Sequence, residues 1–311
     1  EKILDGCAKE VTRFVFPAGE AHKNLNVVQD LYEHLILNHF ERKDMLVALG
    51  GGVVGDLTGF AASTYLRGID FIQVPTTLLA QVDSSIGGKT GVDFNCYKNM
   101  VGAFHQPKLV YMNLSTLKTL TDEQFACGMG EILKHGLIRD RSYYEWTLQH
   151  ITEIKDRNLE TLEQMISGSC EIKRDVVEKD PTEKGERALL NFGHTLGHAI
   201  EKLKNFTLMH GQCVALGSLA AAYISWKRGM ITIKDFQTIQ NANLDFELPT
   251  ILDGLNVEEI IQTTRSDKKM ESGKVKFILL NAIGNACIDP SVTDKEMKDS
   301  LQYLENPFIL K

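Results

Sequence analysis

Met45-Leu-Val-Ala-Leu-Gly-Gly-Gly-Val-Val-Gly55 opens as an apolar run and closes in a cluster of glycines. An unbroken apolar run that ends in glycine reads as a strand buried on both faces, the hallmark of a parallel sheet. Gly50 to Gly55 fit G-x-G-x-x-G, and they follow a strand and open a helical stretch, which is the context the motif requires. Glycine at these positions lets backbone amides approach a pyrophosphate at a helix N-terminus. One feature departs from the ordinary pattern: the ribose-binding acid should end the next strand, yet Asp70 precedes it. Adenosine recognition is therefore expected elsewhere, with Gly19-Glu20 and Lys23 as candidates.

Outward from this stretch, short β-rich runs alternate with amphipathic segments. Residues 13–16 and 109–112 read as strands, as do Phe71-Ile-Gln-Val74. Residues 24–40 carry Val27, Val28, Leu31, Tyr32, Leu35 and Ile36 at helical spacing. After about residue 118 helical patterns follow one another, at 122–138, 142–150, 158–179, 187–204, 211–228, 234–244 and 256–264. A hairpin is expected within 274–288, turning near Gly284-Asn285. The chain thus reads as an α/β Rossmann-like nucleotide-binding domain over residues 1–118, followed by a mostly α-helical domain over 119–311.

Composition limits the function. Of 311 residues 43% are hydrophobic and 24% charged, as in an ordinary globular protein, and a net charge of −7 argues against a general nucleic-acid binder. A local cationic pocket for a small anion remains compatible with that total. The six cysteines are scattered without Cys-x-x-Cys, which fits reduced thiols and a cytoplasmic location. No apolar run reaches the roughly 18 residues needed to span a bilayer, and the start has no signal-peptide pattern.

Chemistry concentrates in Arg187-Ala-Leu-Leu-Asn-Phe-Gly-His-Thr-Leu-Gly-His-Ala-Ile-Glu201. His194 and His198 stand four apart and share one helix face, while Gly193 and Gly197 imply a close approach to that helix. Two hydrogen-bonded core histidines would fit the same pattern. With Glu131 in Gly128-Met-Gly-Glu-Ile-Leu-Lys134 and His210 in Met209-His-Gly211, however, two imidazoles and a carboxylate on three elements make a catalytic zinc pattern. His135 can replace either histidine on spacing alone. Lys134, Lys173, Arg187, Asn191 and the Lys268-Lys269 pair are candidate ligands for an anion carrying phosphate and carboxylate. Asp83-Ser-Ser-Ile-Gly-Gly-Lys-Thr-Gly91 has superficial P-loop features but lacks the first glycine and the preceding strand. Lys89 within it, and Lys98-Asn99 beyond it, remain anion-ligand candidates.

Together with Pro75-Thr-Thr-Leu-Leu-Ala-Gln-Val-Asp83 and Lys98-Asn-Met-Val-Gly-Ala-Phe-His-Gln-Pro107, these motifs resemble, in order, those of the 3-dehydroquinate synthase family. The resemblance implies conversion of 3-deoxy-D-arabino-heptulosonate 7-phosphate to 3-dehydroquinate and phosphate, with NAD and Zn2+ or Co2+, in a homodimer. It makes Glu131, His194 and His210 the metal ligands. It points to Asp83, Lys89, Asn99, Lys134, Lys173, Arg187, Asn191 and His198, with Lys268 or Lys269, as substrate and catalytic positions. NAD is expected at Glu20, Lys23, Gly51, Gly52, Asp56, Thr76, Thr77, Lys98, Thr119 and Leu120, and Arg67 is expected to reach across the dimer. Gln124 and Gly130 depart from the family's usual glutamate and alanine. A further strand-helix unit is expected before residue 1. Other sugar-phosphate cyclases, and a metal-dependent polyol dehydrogenase of related fold, are the alternatives.

Overall fold

A computed structural model describes residues 6–95, 97–183, 185–205, 207–265, 270–271 and 274–307. The chain forms two compact units, one of Glu1–Thr76 with Gly87–Asn113, the other of Thr77–Ile86 with Leu114–Lys311. The backbone thus passes between units three times, because residues 77–86 join the second unit before the chain returns to the first.

The first unit runs α1 (Leu25–Leu37), β1 (Met45–Gly50), α2 (Gly52–Thr64), β2 (Asp70–Pro75), β3 (Lys89–Phe94), β4 (Tyr97–Phe104) and β5 (Leu109–Val110). Strands β1, β2 and β5 form a parallel sheet in that order, with Met45 opposite Asp70 and Ile72 opposite Leu109. Helices α1 and α2 bury Val28, Leu31, Leu35, Leu57 and Ala61 with Phe71 from the sheet, which is what their apolar stripes demand. Asn24 caps α1 by accepting from Asn26 N and Val27 N at 3.0 and 3.1 Å; such caps contribute about 1 kcal/mol.

Three readings change here. Residues 13–16 belong to no strand; Phe14 and Phe16 pack on this core while Val15 faces solvent. The strand at 109–112 is only two residues long. Lys89 lies not in a glycine loop but at the start of β3, which pairs antiparallel with β4. That hairpin was illegible because Gly91 and Gly102 weaken β propensity. They pack backbone to backbone, and a Cβ on Gly91 would lie 2.8 Å from Val101 O.

The second unit contains α3 (Asp122–Arg139), α4 (Arg141–Gln149), α5 (Ile151–Lys155), α6 (Leu159–Lys179), α7 (His194–Leu203), α8 (His210–Lys227), α9 (Ile233–Asp245) and α10 (Val257–Thr264). It ends with β6 (Met270–Glu271), β7 (Lys274–Val275), β8 (Phe277–Ala282), β9 (Asn285–Asp289) and α11 (Asp294–Glu305). Helix α8 is buried nearly all round and packs against α3, α7, α9, α11 and β8, as its small and apolar residues on every face require. The expected single helix over 187–204 is instead a 3₁₀ segment, Glu186–Asn191, followed by α7; Gly193, at φ 78°, breaks between them.

Glycines set how closely α8 is approached. A Cβ on Gly197 would lie 2.8 Å from Cys213 O, and one on Gly130 2.7 Å from Gly211 O. A Cβ on Gly217 or Gly211 would overlap the backbone of Gly193 or Cys127. The close approach read from Gly193 and Gly197 is therefore made by the α8 backbone.

Gly217→Ala is expected to lower the denaturant midpoint of the chain, since helices α7 and α8 must separate to admit a methyl; overpacking of this kind costs roughly 1–3 kcal/mol. At the far end of α8, Arg228 grips Glu296 through Nε and Nη2 at 2.6 and 2.9 Å. With the Thr293 cap this pulls Glu296 down to about 2, against partial burial. A carboxylate held below its unfolded value stabilises above that value and loses this contribution as pH falls toward 2. Glu296→Gln is thus expected to lower thermal stability at pH 7 by about 1 kcal/mol or less. The gap to the parent should close between pH 4.5 and 2.

Candidate active site

Three helices meeting through glycine bring three ligand-type side chains to one point. Glu131 lies mid-α3, while His194 and His210 are the first residues of α7 and α8. Glu131 Oε1 is 3.6 Å from Nε2 of His194 and 3.6 Å from Nε2 of His210. Both separations are too long for hydrogen bonds. They match the edge of a tetrahedron of donors around one ion, about 3.4 Å for bonds of about 2.1 Å.

The other ring nitrogens are occupied. His194 Nδ1 donates to Phe192 O at 3.1 Å, and His210 Nδ1 lies 3.4 Å from Glu201 Oε2. Both rings are thereby held with Nε2 lone pairs toward the carboxylate. Glu131 is fully buried and its Oε1 accepts no hydrogen bond, a costly state that a divalent cation relieves. The residues fit a zinc- or cobalt-type ion. Without one, burial disfavours charge on His210, yet Glu131 and Glu201 raise it to about 9.

His198 completes a trio with His194 and His210 whose donor nitrogens all lie within 4.8 Å. His135, open on spacing, lies on the other side of Glu131: its Nδ1 pairs with Ser169 Oγ on α6 at 2.7 Å, and it groups with Asp83 and Glu131, donor atoms within 4.8 Å, rather than with His194 and His210. Burial and neighbouring Lys134 push it down to about 3, so this ring is neutral. Ser169 was not singled out from the sequence; its position four residues before Lys173 on one face of α6 was the available signal.

Around the trio lies a buried charged cluster. Lys134 contacts Glu131, and although burial opposes ionisation, this ammonium holds the carboxylate below its usual range. Lys173 Nζ is 2.6 Å from Asp83 Oδ1 and also meets the Asp83 carbonyl. Asp83 sits in a π-helical turn, Ala80–Ser84; such turns recur at functional sites. Burial works against its charge, but Lys173 and Lys134 hold Asp83 well below the carboxylate range. Burial in turn lowers Lys173.

Arg187, in the first turn of the 3₁₀ segment, is buried and donates to Pro181 O at 2.6 Å, and Asp180 Oδ2 accepts from Gly185 N and Arg187 N. Asn191 donates to Glu183 at 2.8 Å. Glu183, at φ 59°, was missed in the sequence, which offers no periodicity there.

The first unit holds the other expected residues. Gly51 caps α2 with no side-chain partner and Gly52 begins it, leaving the first amides of the helix available to a phosphate. Thr76 N donates to Gly50 O at 2.9 Å. Lys23 is buried between Asp56 Oδ2 and Asn99 Oδ1, both at 2.7 Å, with Glu20 3.8 Å away and Lys98 3.6 Å from Glu20. Asn99, expected beside substrate, is thus bound to Lys23 and adopts φ 52°. Lys89 and Arg67 are exposed, Arg67 following Leu66 in a turn with both at positive φ. In the second unit Thr77 Oγ1 accepts from Ala80 N, and Thr119 and Leu120 close a 3₁₀ turn. Lys268 and Lys269 lie outside the described residues.

Residues 13–127 match the 3-dehydroquinate synthase N-terminal family and residues 128–270 its C-terminal counterpart. A 3-dehydroquinate synthase of Acetivibrio thermocellus is 45% identical over 296 residues, covering 95% of this chain and 82% of the relative. One of Nitrosospira multiformis is 47% identical over 279 residues, covering 89% and 76%. Among solved structures, 2-epi-5-epi-valiolone synthase of Streptomyces hygroscopicus, with NAD+ and Zn2+ bound, superimposes with a TM-score of 0.88 at 25% identity, covering 93% of this chain and 81% of that one. A 2-deoxy-scyllo-inosose synthase complexed with carbaglucose-6-phosphate, NAD+ and Co2+ gives 0.85 at 27%, covering 92% and 81%. A glycerol dehydrogenase of Schizosaccharomyces pombe, at 13% identity and a TM-score of 0.66, shares the fold. With both halves matched in order, the chain belongs to the 3-dehydroquinate synthase family.

Proposed function

We propose that the chain is a 3-dehydroquinate synthase, a phosphorus–oxygen lyase that converts 3-deoxy-D-arabino-heptulosonate 7-phosphate to 3-dehydroquinate and phosphate. The observation that carries the reading is the meeting of Glu131, His194 and His210 beside the buried lysines Lys134 and Lys173. Curated relatives at 45% and 47% identity carry this activity, whereas the inosose and valiolone cyclases stand at 27% and 25%. A polyol dehydrogenase would have little use for so many buried anion ligands.

When bound, NAD supplies transient oxidation and re-reduction at one substrate carbon, and a divalent ion supplies Lewis-acid polarisation of the reacting oxygen. Glu131, His194 and His210 would hold that ion. The α2 N-terminus with Gly51 and Gly52 would hold the dinucleotide pyrophosphate. Lys23, Glu20, Asp56, Thr76, Thr77, Lys98, Thr119 and Leu120 would support the rest of the cofactor. Lys173 would bind the substrate carboxylate, exchanging Asp83 for it, and Arg187 and Asn191 would orient the remaining oxygens; Lys89 and Asn99 are assigned to substrate by the family resemblance alone. His198 lies edge-on to His194 with ring centroids 5.1 Å apart, and on this reading it would relay the proton of the reacting hydroxyl. Elimination transfers the C6 proton to the departing phosphate, so no protein base is consumed. These groups act by holding one small molecule through successive steps, which is worth several kcal/mol in avoided reorientation.

The same reading makes the enzyme a cytoplasmic homodimer with Arg67 reaching the partner's site. Among the described residues no helix is long and apolar enough to cross a membrane.

Phosphate release from the heptulosonate phosphate is expected without accumulating NADH, lost on chelation and restored by Zn2+ or Co2+; steady growth of NADH would indicate a dehydrogenase instead. Lys173→Ala is expected to reduce kcat/KM roughly 10²-fold or more, on the scale of one lost charge-stabilising donor. NAD and metal binding should be retained, and unchanged turnover would remove Lys173 from the site.

A further inference from the structure

Glu201 is a carboxylate in an expensive place. It is 4% exposed and lies in the last turn of α7, where the helix dipole already disfavours negative charge. It stands seven residues after His194 and three after His198, so all three share one face of α7. Its Oε2 lies 3.4 Å from Nδ1 of His210, on the neighbouring helix. Nε2 of the same ring is 3.6 Å from Glu131 Oε1. The His210 imidazole is therefore bracketed by two buried carboxylates, one at each nitrogen.

His194 is oriented differently, by the backbone carbonyl of Phe192. A carbonyl two residues away is an inescapable part of the turn that starts α7. The His210 ring begins α8 and has no such local carbonyl on Nδ1; a carboxylate from another helix does that work.

We propose that Glu201 is a positioning residue of the metal centre. Its carboxylate takes the Nδ1–H of His210, fixing the tautomer and ring plane that present Nε2 beside Glu131, and it makes the imidazole a stronger donor. This rests on Glu131, His194 and His210 holding a divalent ion. Partners of this kind typically change metal affinity 10- to 100-fold. Glu201 touches neither substrate nor NAD in this role, so its effect on turnover passes through His210.

The test uses metal-free, full-length protein titrated with Co2+, following the visible absorption band and obtaining the dissociation constant by chelator competition. Parent, His210→Ala, Glu201→Gln and Glu201→Leu are compared, with NAD affinity and metal-free melting temperature measured on each. Glu201→Leu is expected to weaken Co2+ binding by about 10- to 100-fold and to alter the band, with NAD affinity unchanged. Glu201→Gln keeps an acceptor but not the charge, and should fall between Leu and the parent. If Glu201→Leu does not fold, the Gln variant decides alone: a parental dissociation constant and spectrum would refute the proposal. Loss of melting temperature with Co2+ affinity intact would mean that Glu201 serves only packing, which also overturns it. Should the parent itself take up no Co2+, the metal reading fails; should His210→Ala lose Co2+ while both Glu201 variants keep it, only the present inference fails.

Discussion

The close contact of α8 with α3 and α7 is the constraint on which the second unit depends. Gly130 and Gly211 on one side, and Gly193, Gly197 and Gly217 on the other, remove the side chains that would hold these helices apart. Helix axes ordinarily lie 8–10 Å apart according to the side chains at the contact, and glycine permits the near end of that range. Only then can the short His194 and His210 side chains reach a carboxylate that starts mid-helix on α3. Each of these glycines within a helix costs propensity, roughly 1 kcal/mol relative to alanine, whereas Gly193, at φ 78° before α7, sits where glycine is favoured. That cost is offset by the extensive burial along α8. Gly130, which departs from the alanine usual in the family, sits where a Cβ would press on Gly211 O, so this chain's contact is tighter than an alanine would comfortably allow.

The second organising fact is a set of buried charges that satisfy one another. Glu131, Lys134 and Lys173, and to a lesser degree the half-buried Asp83, would each be costly alone in an apolar interior. Placed together, the carboxylates stay ionised and Lys173 keeps a carboxylate partner. His135, surrounded by the lysines and fully buried, stays neutral. Removing one member of such a set typically costs 3–5 kcal/mol, because the partner remains buried and uncompensated. In the proposed reaction an arriving anion would meet cations already positioned, its carboxylate replacing the Asp83 carboxylate on Lys173.

Much of this was legible before any coordinates. Apolar runs ending in glycine marked β1, the helical periods marked α3, α6, α8 and α9 to within a residue or so, and Gly284-Asn285 marked the β8–β9 turn. What failed did so for identifiable reasons. The 187–204 stretch kept a helical period through a break, since hydrophobic spacing does not register a single left-handed glycine at 193. The β3–β4 hairpin is glycine-rich and draws its stability from cross-strand backbone pairing rather than propensity. Residues 13–16 had strand composition but found no neighbouring strand edge.

From the sequence came the residue types of the proposed chemistry: a glycine turn suited to a dinucleotide, imidazoles and a carboxylate suited to a metal, and lysines suited to an anion. They were legible there because residue type and local spacing are one-dimensional properties. Tertiary structure alone decided which of them meet. On spacing His135 can replace either His194 or His210, yet it pairs with Ser169 and clusters with Asp83 and Glu131, while His198 gathers with His194 and His210. Asn99 binds Lys23, Lys173 binds Asp83 and Glu201 reaches His210, across sequence separations of 76, 90 and 9 residues. Such pairings follow from how closely backbones approach and which buried charges must be neutralised, and neither is written in local sequence.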